Sequence, residues 1–218
     1  KKLIYKLYHV SMNLLRVLLN ALFPPRTSAT HVSRTTLAEI GAFVVPTTVP
    51  VNEHSVVSLL PFREPLVRSL ILEAKYHENQ RAHALLGAVL ADYLLSLLED
   101  TAFEELHFVL VPVPLSKRRY QERGYNQTEH IVREALKLLP DSFSLNTHFV
   151  RRVRHTKSQT SLSRQARLTN MHDAFSFTGT LESTCTYVVI DDVITTGATL
   201  GAVMQILSGE VIGISLAH

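Results

Sequence analysis

Leu3, Leu7, Val10, Leu14, Leu18 and Leu22 recur at three- and four-residue spacing, which predicts an amphipathic helix that Phe23-Pro24-Pro25 ends. Lys1, Lys2 and Lys6 precede apolar residues as in a signal peptide. Asn13, Arg16 and Asn20 interrupt that run and no small-residue cleavage site follows, so a docking helix is expected, with a membrane surface or a partner as its alternative use. Residues 24–54, rich in Thr, Ser, Val and Pro without a period, predict loops and short strands. The pattern then sharpens. Ser55–Phe62 reads as a strand, Glu64–Tyr76 as a helix with Leu66, Leu70, Ile71 and Ala74 inward, and Arg81–Glu99 as a longer helix. A buried strand follows at 107–114, then a basic loop, a helix at Gln127–Leu139 and a strand at Leu145–Val150. Tyr187–Ile190, Gly197–Leu207 and Val211–Leu216 close the chain as strand, helix and strand. Alternating strands and helices predict an α/β domain with a mainly parallel sheet.

Composition narrows this reading. The 218 residues are 46% hydrophobic and 19% charged, with a mean hydropathy of +0.11. No uninterrupted apolar run approaches the roughly 18 residues of a membrane span, so none is expected. The lone Cys185 excludes an intramolecular disulfide framework and any zinc site of paired cysteines, and reads as a packing residue. Net charge is only +3, but its distribution is uneven. Residues 112–170 carry twelve Lys and Arg against four acids, whereas residues 171–218 carry five acids and no Lys or Arg. A strongly basic block therefore precedes an acidic one.

The chemistry concentrates in residues 186–207. The β-formers Tyr187 to Ile190 run into Asp191 and Asp192, and Thr195-Thr196-Gly197-Ala198-Thr199 then opens a helix. Backbone N–H groups and hydroxyls converging on a helix N-terminus, with Gly197 permitting close approach, make a phosphate cradle. No Lys follows the glycine, so this is not a nucleotide P-loop. Two carboxylates need a partner other than the phosphate, and a ribose diol supplies two donor hydroxyls. Phosphate on one side and diol on the other describe a ribose 5-phosphate. A strand end followed by a capped helix, with no ligand, is the plainer alternative. A second motif, 110–132, places Lys117, Arg118, Arg119 and Arg123 beside Gly124 after a strand's C-terminal end, a composition suited to polyphosphate or simply to a solvated loop.

The segment VVIDDVITTGAT resembles the phosphoribosyl pyrophosphate (PRPP) signature of type I phosphoribosyltransferases. With PVPL…RGYNQ at 112–127, the arginine-rich 151–175 segment and LEAKY at 72–76, the chain resembles the ComF competence-protein family over about residues 55–218. That resemblance implies a type I phosphoribosyltransferase fold with a mobile hood and a small N-terminal helical or irregular appendage. It divides the chain into an appendage, 1–54, and a phosphoribosyltransferase domain, 55–218. It gives Asp191 and Asp192 the catalytic, ribose-holding role, and Thr195, Thr196, Gly197, Ala198 and Thr199 the 5-phosphate. Lys117, Arg118, Arg119, Arg123, Gly124, Asn126 and Gln127 fall to the pyrophosphate loop. Arg152, Arg154, Thr156, Gln159, Arg164 and Arg167 fall to the hood, where mutual repulsion among the arginines independently argues for mobility until an anion arrives.

The chain departs from the pattern of the family it resembles in two respects. Many of its members carry a zinc module near residues 24–45, and the matching positions here are Thr27, Thr30, Ala38 and Gly41, so no zinc is expected and His31 alone is no site. Salvage enzymes for 6-oxopurines carry an Asp where Thr195 stands, and Thr cannot handle a proton on a base at neutral pH. The implied activity is transfer of phosphoribosyl from Mg²⁺–PRPP to a nitrogenous base with release of pyrophosphate, in the cytoplasm. The alternative is a non-catalytic PRPP- or nucleotide-binding protein assisting uptake of single-stranded DNA. The implied partners are PRPP and a small base, with single-stranded DNA or a protein of the competence machinery beside them. Acceptor base and self-association as a homo-oligomer stay open.

Overall fold

The computed structural model describes residues 26–51, 53–100, 107–153, 174–207 and 211–218. The helix expected over residues 3–22 lies outside them, as does Leu162–Asn170, where the sequence also suggests a short helix. So do Arg154, Thr156, Gln159, Arg164 and Arg167.

In chain order the elements are α1 (Thr27–Arg34), α2 (Leu37–Gly41), β1 (Thr47–Val51), β2 (His54–Leu60), α3 (Pro65–Tyr76), α4 (Gln80–Asp100) and β3 (His107–Pro112). There follow α5 (Lys117–Arg123), α6 (Gln127–Leu136), β4 (Phe143–Leu145), β5 (Val150–Arg152), β6 (Phe175–Phe177), β7 (Cys185–Val193), α7 (Ala198–Ile206) and β8 (Val211–Ala217). Six strands form a sheet in the order β1-β2-β8-β7-β3-β4, parallel except for the antiparallel β1–β2 edge. β5 and β6 form a separate antiparallel ribbon. This is a mixed α/β architecture with a mostly parallel sheet flanked by helices.

Period-two alternation assigns the two faces. Phe108, Leu110, Val188, Ile190, Ile214 and Leu216 enter one core beneath α3, α4 and α6. Val109, Val111, Tyr187 and Val189 enter another beneath α7 and the ribbon. A sheet covered on both faces explains strands that read as continuous apolar runs. α4 owes its apolar character to this core as well: its residues Gln80–Glu99 are long and apolar enough to cross a membrane, and half of that stretch is buried in the fold, with Leu86, Leu90 and Leu94 in the core. Gly87 lets α4 cross α6 closely, because a Cβ there would fall against the backbone of Ile131 and Ala135.

Several expectations are corrected. Residues 24–54 were expected as loops and short strands, but α1 and α2 are helices before β1. Thr36 and Glu39 form a reciprocal capping box for α2, a signal present in the sequence as T-x-x-E. α1 is made of poor helix formers and is held from outside. Ser28 donates to Glu73 at 2.7 Å, Arg26 reaches both Glu73 oxygens at 3.3 Å, and Arg81 Nε donates to the Val32 carbonyl at 3.0 Å. The positions Thr27 and Thr30 thus lie on α1, and Ala38 and Gly41 on α2. The expected division at residues 54/55 falls in the β1–β2 hairpin, where Val51 pairs with His54.

The strand expected over Leu145–Val150 is instead two strands flanking a turn, since Asn146 Oδ1 accepts from the backbone N–H of His148 and Phe149 at 2.8 and 2.9 Å. The basic loop after β3 is largely the helix α5, capped by Ser116 and ended by Gly124 at φ +82°.

Candidate functional site

β7 delivers both carboxylates to the C-terminal edge of the parallel strands, where open α/β sheets receive ligands. Because side chains alternate, Asp191 continues the face of Tyr187 and Val189, and Asp192 that of Val188 and Ile190. The pair therefore straddles the sheet. Asp192 points to the helical side, where its Oδ2 lies 2.9 Å from Lys75 Nζ of α3 and accepts from Gln127 Nε2 of α6 at 2.9 Å. Gln127 is itself held by Arg123, whose Nη1 donates to its Oε1 at 2.8 Å while the guanidinium lies 5.0 Å from the Tyr76 ring centre.

Asp191 is set differently. Its Oδ1 accepts from the Asp192 N–H at 2.9 Å, and Arg152 and Lys75 act on it as nearby charges. Burial, followed by repulsion from Asp192, pushes its carboxyl up to about 8. Across the cleft, Arg152 of β5 lies over Phe175, 5.2 Å from its ring centre. Burial and then the neighbouring Arg119 hold its guanidinium below the usual arginine range, with Asp191 acting against them. Two arginines that repel one another form a place where an anion is favoured.

The loop after β7 supplies the third wall. Ile194 is anchored by its N–H to the Ala217 carbonyl at 2.9 Å and by a buried side chain. Gly197 is buried at φ +74°, and a Cβ there would collide with Val51. It caps α7 without a side chain, and the first turn of that helix opens toward the loop. Such an N-terminus offers backbone N–H groups and a positive dipole end to an anion.

Together these elements bound a cleft of about 390 Å³ that gathers Arg119, Gln127, Arg152, Asp191, Asp192, Thr195 and Thr199. Lys117 and Asn126 line an adjoining cleft with Arg152. Other nominated residues lie elsewhere. Arg118 pairs with Glu122 at 2.7 Å on the solvent side of α5, Gly124 ends that helix, and Arg123 stands behind Gln127 and Tyr76 rather than lining the cleft. Thr196, Gly197 and Ala198 shape the loop: Thr196 Oγ1 accepts from the Ala198 N–H at 3.4 Å. Lys75 and Tyr76 were not singled out from sequence, although both line the cleft. The available signal was a lone Lys-Tyr ending an apolar helix within LEAKY.

A buried cluster fixes where α3 ends. The Ala74 carbonyl accepts from the Tyr125 hydroxyl at 2.9 Å and lies 3.1 Å from His83 Nε2. Tyr125 in turn accepts from the Glu78 N–H at 2.7 Å, with Glu78 at φ +47°. Lys75 is thereby held one residue past a pinned carbonyl. Among the described residues no three His, Cys, Asp or Glu side chains converge as a resident metal would require.

No family model matches the chain. It is 38% identical over 101 residues to "Competence protein F" of Haemophilus influenzae, covering 45% of this chain and 43% of that protein. It is 30% identical over 151 residues to "DNA utilization protein YhgH" of Salmonella typhimurium, covering 69% and 64%. A third similarity, 34% over 98 residues, is to "Competence protein ComFC" of Bacillus subtilis, covering 45% and 37%. Each match spans less than two thirds of the relative's own length.

Proposed function

The chain belongs to the ComF competence-protein family, and from that premise we propose that its cleft binds a phosphorylated ribose, with Mg²⁺–PRPP the leading ligand, in a protein that serves the uptake or use of DNA. The observation carrying this reading is the convergence, at one sheet edge, of two carboxylates with a helix N-terminus capped by a glycine. The ribose hydroxyls donate to Asp191 and Asp192, and the 5-phosphate sits on Thr195–Thr199 and the N–H groups of α7. The mostly parallel sheet and its order of loops suit a type I phosphoribosyltransferase fold. Mg²⁺ travels with the pyrophosphate as part of the substrate. The relatives' names, competence and DNA utilization, support the DNA role.

A second reading is catalytic. Arg119 and Arg152 crowd one another above Asp191. That is where the charge of a departing pyrophosphate would develop, and preorganised cations there lower the barrier to its departure. A nitrogen base then attacks C1′ as the C1′–oxygen bond to pyrophosphate breaks, and the cleft supplies binding groups rather than a nucleophile. Complementation of a strain defective in DNA use by an Asp191→Ala/Asp192→Ala variant tests the main reading: loss of rescue supports a role for the cleft, and full rescue removes it. Pyrophosphate release from PRPP across a panel of bases tests the second.

A further inference from the structure

Asp192 is held by more bonds than its neighbour. Its Oδ2 receives Lys75 Nζ and Gln127 Nε2, both at 2.9 Å, and its Oδ1 accepts from the Val193 N–H at 2.8 Å. An ionised carboxylate has about four lone-pair positions. Among the described residues three of them are taken, which leaves a single position, on Oδ1, for a ligand in the cleft.

The grip on Asp192 closes into a circuit. Arg123 can only donate, so the Gln127 atom it bonds at 2.8 Å is Oε1, and this turns Nε2 toward Asp192. The Arg123 guanidinium lies over the ring of Tyr76, the residue after Lys75 on α3. Tyr76, Arg123, Gln127, Asp192 and Lys75 therefore run from α3 through α5, α6 and β7 and back to α3. Rotating the buried carboxylate would break three bonds at once, so Asp192 meets a ligand with its open position already fixed. A hydroxyl that reaches this position is bound without reorganisation. A ligand lacking it leaves a buried acceptor unpaired.

We propose that Lys75 and Gln127 are positioning residues that restrict Asp192 to one sugar hydroxyl, so that the cleft selects a sugar phosphate with an intact diol over one lacking that hydroxyl. The inference rests on the ribose-phosphate reading and adds to it a basis for sugar selectivity.

Calorimetric titration of ribose 5-phosphate and of its 2-deoxy and 3-deoxy analogues tests it, with circular dichroism to check that each variant folds. The three sugars carry the same phosphate, so a change in cleft charge acts on all of them alike and only the ratios report the hydroxyls. The parent should prefer ribose 5-phosphate over each analogue by about tenfold. Lys75→Met and Gln127→Leu should each bring one of these preferences close to unity, the same one in both variants, and leave the other near its parent value. Arg123→Met, outside the cleft lining, should lower that same preference by less, because it acts through Gln127. Parent-like preferences in folded Lys75→Met and Gln127→Leu would overturn the inference and leave the ribose-phosphate reading standing. Equal loss of both preferences would also overturn it, since that marks a role in shaping the whole cleft. A parent that binds the three sugars equally well overturns the inference, and one that binds none of them overturns the ribose-phosphate reading with it.

Discussion

Lys75 places its ammonium 2.9 Å from Asp192 Oδ2, and the same oxygen accepts the side-chain amide of Gln127 at 2.9 Å. One carboxylate of the acidic pair is therefore charge-balanced and oriented before any ligand arrives. Its neighbour faces the cleft without an ion pair of comparable closeness among the described residues. The two aspartates, adjacent in sequence, are set up for different work.

Replacing Lys75 by Met leaves Asp192, 5% exposed, without its counter-charge. Removing one partner of a largely buried pair costs about 3 kcal/mol. Urea denaturation should show that loss at neutral pH. A Lys75→Met/Asp192→Asn double variant should recover much of it, and strict additivity of the two single changes would show that the pair is not coupled.

Asp191 gives a pH signature. Its ordinary value of 3.8 is pushed up to about 8 in the fold. Between these values the native state holds a proton that the unfolded chain has released, so this carboxyl makes stability fall as pH rises from about 4 to about 8. Asp191→Asn removes that dependence. Thermal melts should show the variant gaining stability over the parent across this range, with the gain levelling above pH 8. A constant difference at all pH values would contradict it.

Gly197 combines φ +74° with contact against Val51. Gly197→Ala should cost about 1–3 kcal/mol and displace the start of α7. Adding Val51→Ala should relieve the collision but not the backbone strain, giving partial recovery in a chemical melt.

The Tyr125–His83 cluster also responds to pH. Burial, the largest influence, holds His83 below its ordinary 6.5. The unfolded chain takes up a proton there first, so stability contributed by neutral His83 is full above about pH 6.5 and declines as pH falls through the folded value. His83→Gln should flatten that decline. Tyr125→Phe, which deprives the Glu78 N–H of its acceptor, should cost about 1–3 kcal/mol at every pH.

The sequence made legible whatever depends on local pattern. The central strands and α3, α4, α6 and α7 follow from apolar period, and the Asp191–Thr199 segment carries its chemistry in contiguous residues. α1 was hidden because its helix rests on distant partners, Glu73 and Arg81, rather than on propensity. The break between β4 and β5 turned on one side chain, Asn146, inside a run of β-formers. Lys75 was missed for a related reason: it lies more than a hundred residues before Asp192, and only the packing of α3 against the sheet brings the two together. Arg118 and Arg123 show the converse, since adjacency in a basic motif does not decide which side chains turn toward the cleft.

Calorimetric titration of PRPP with Mg²⁺ into the parent and into Asp191→Ala/Asp192→Ala bears most directly on the cleft as a ribose-phosphate site. Saturable binding to the parent, weakened at least a hundredfold in a variant that melts cooperatively, is the predicted result. Equal affinity in both proteins, or no binding to the parent, would contradict it.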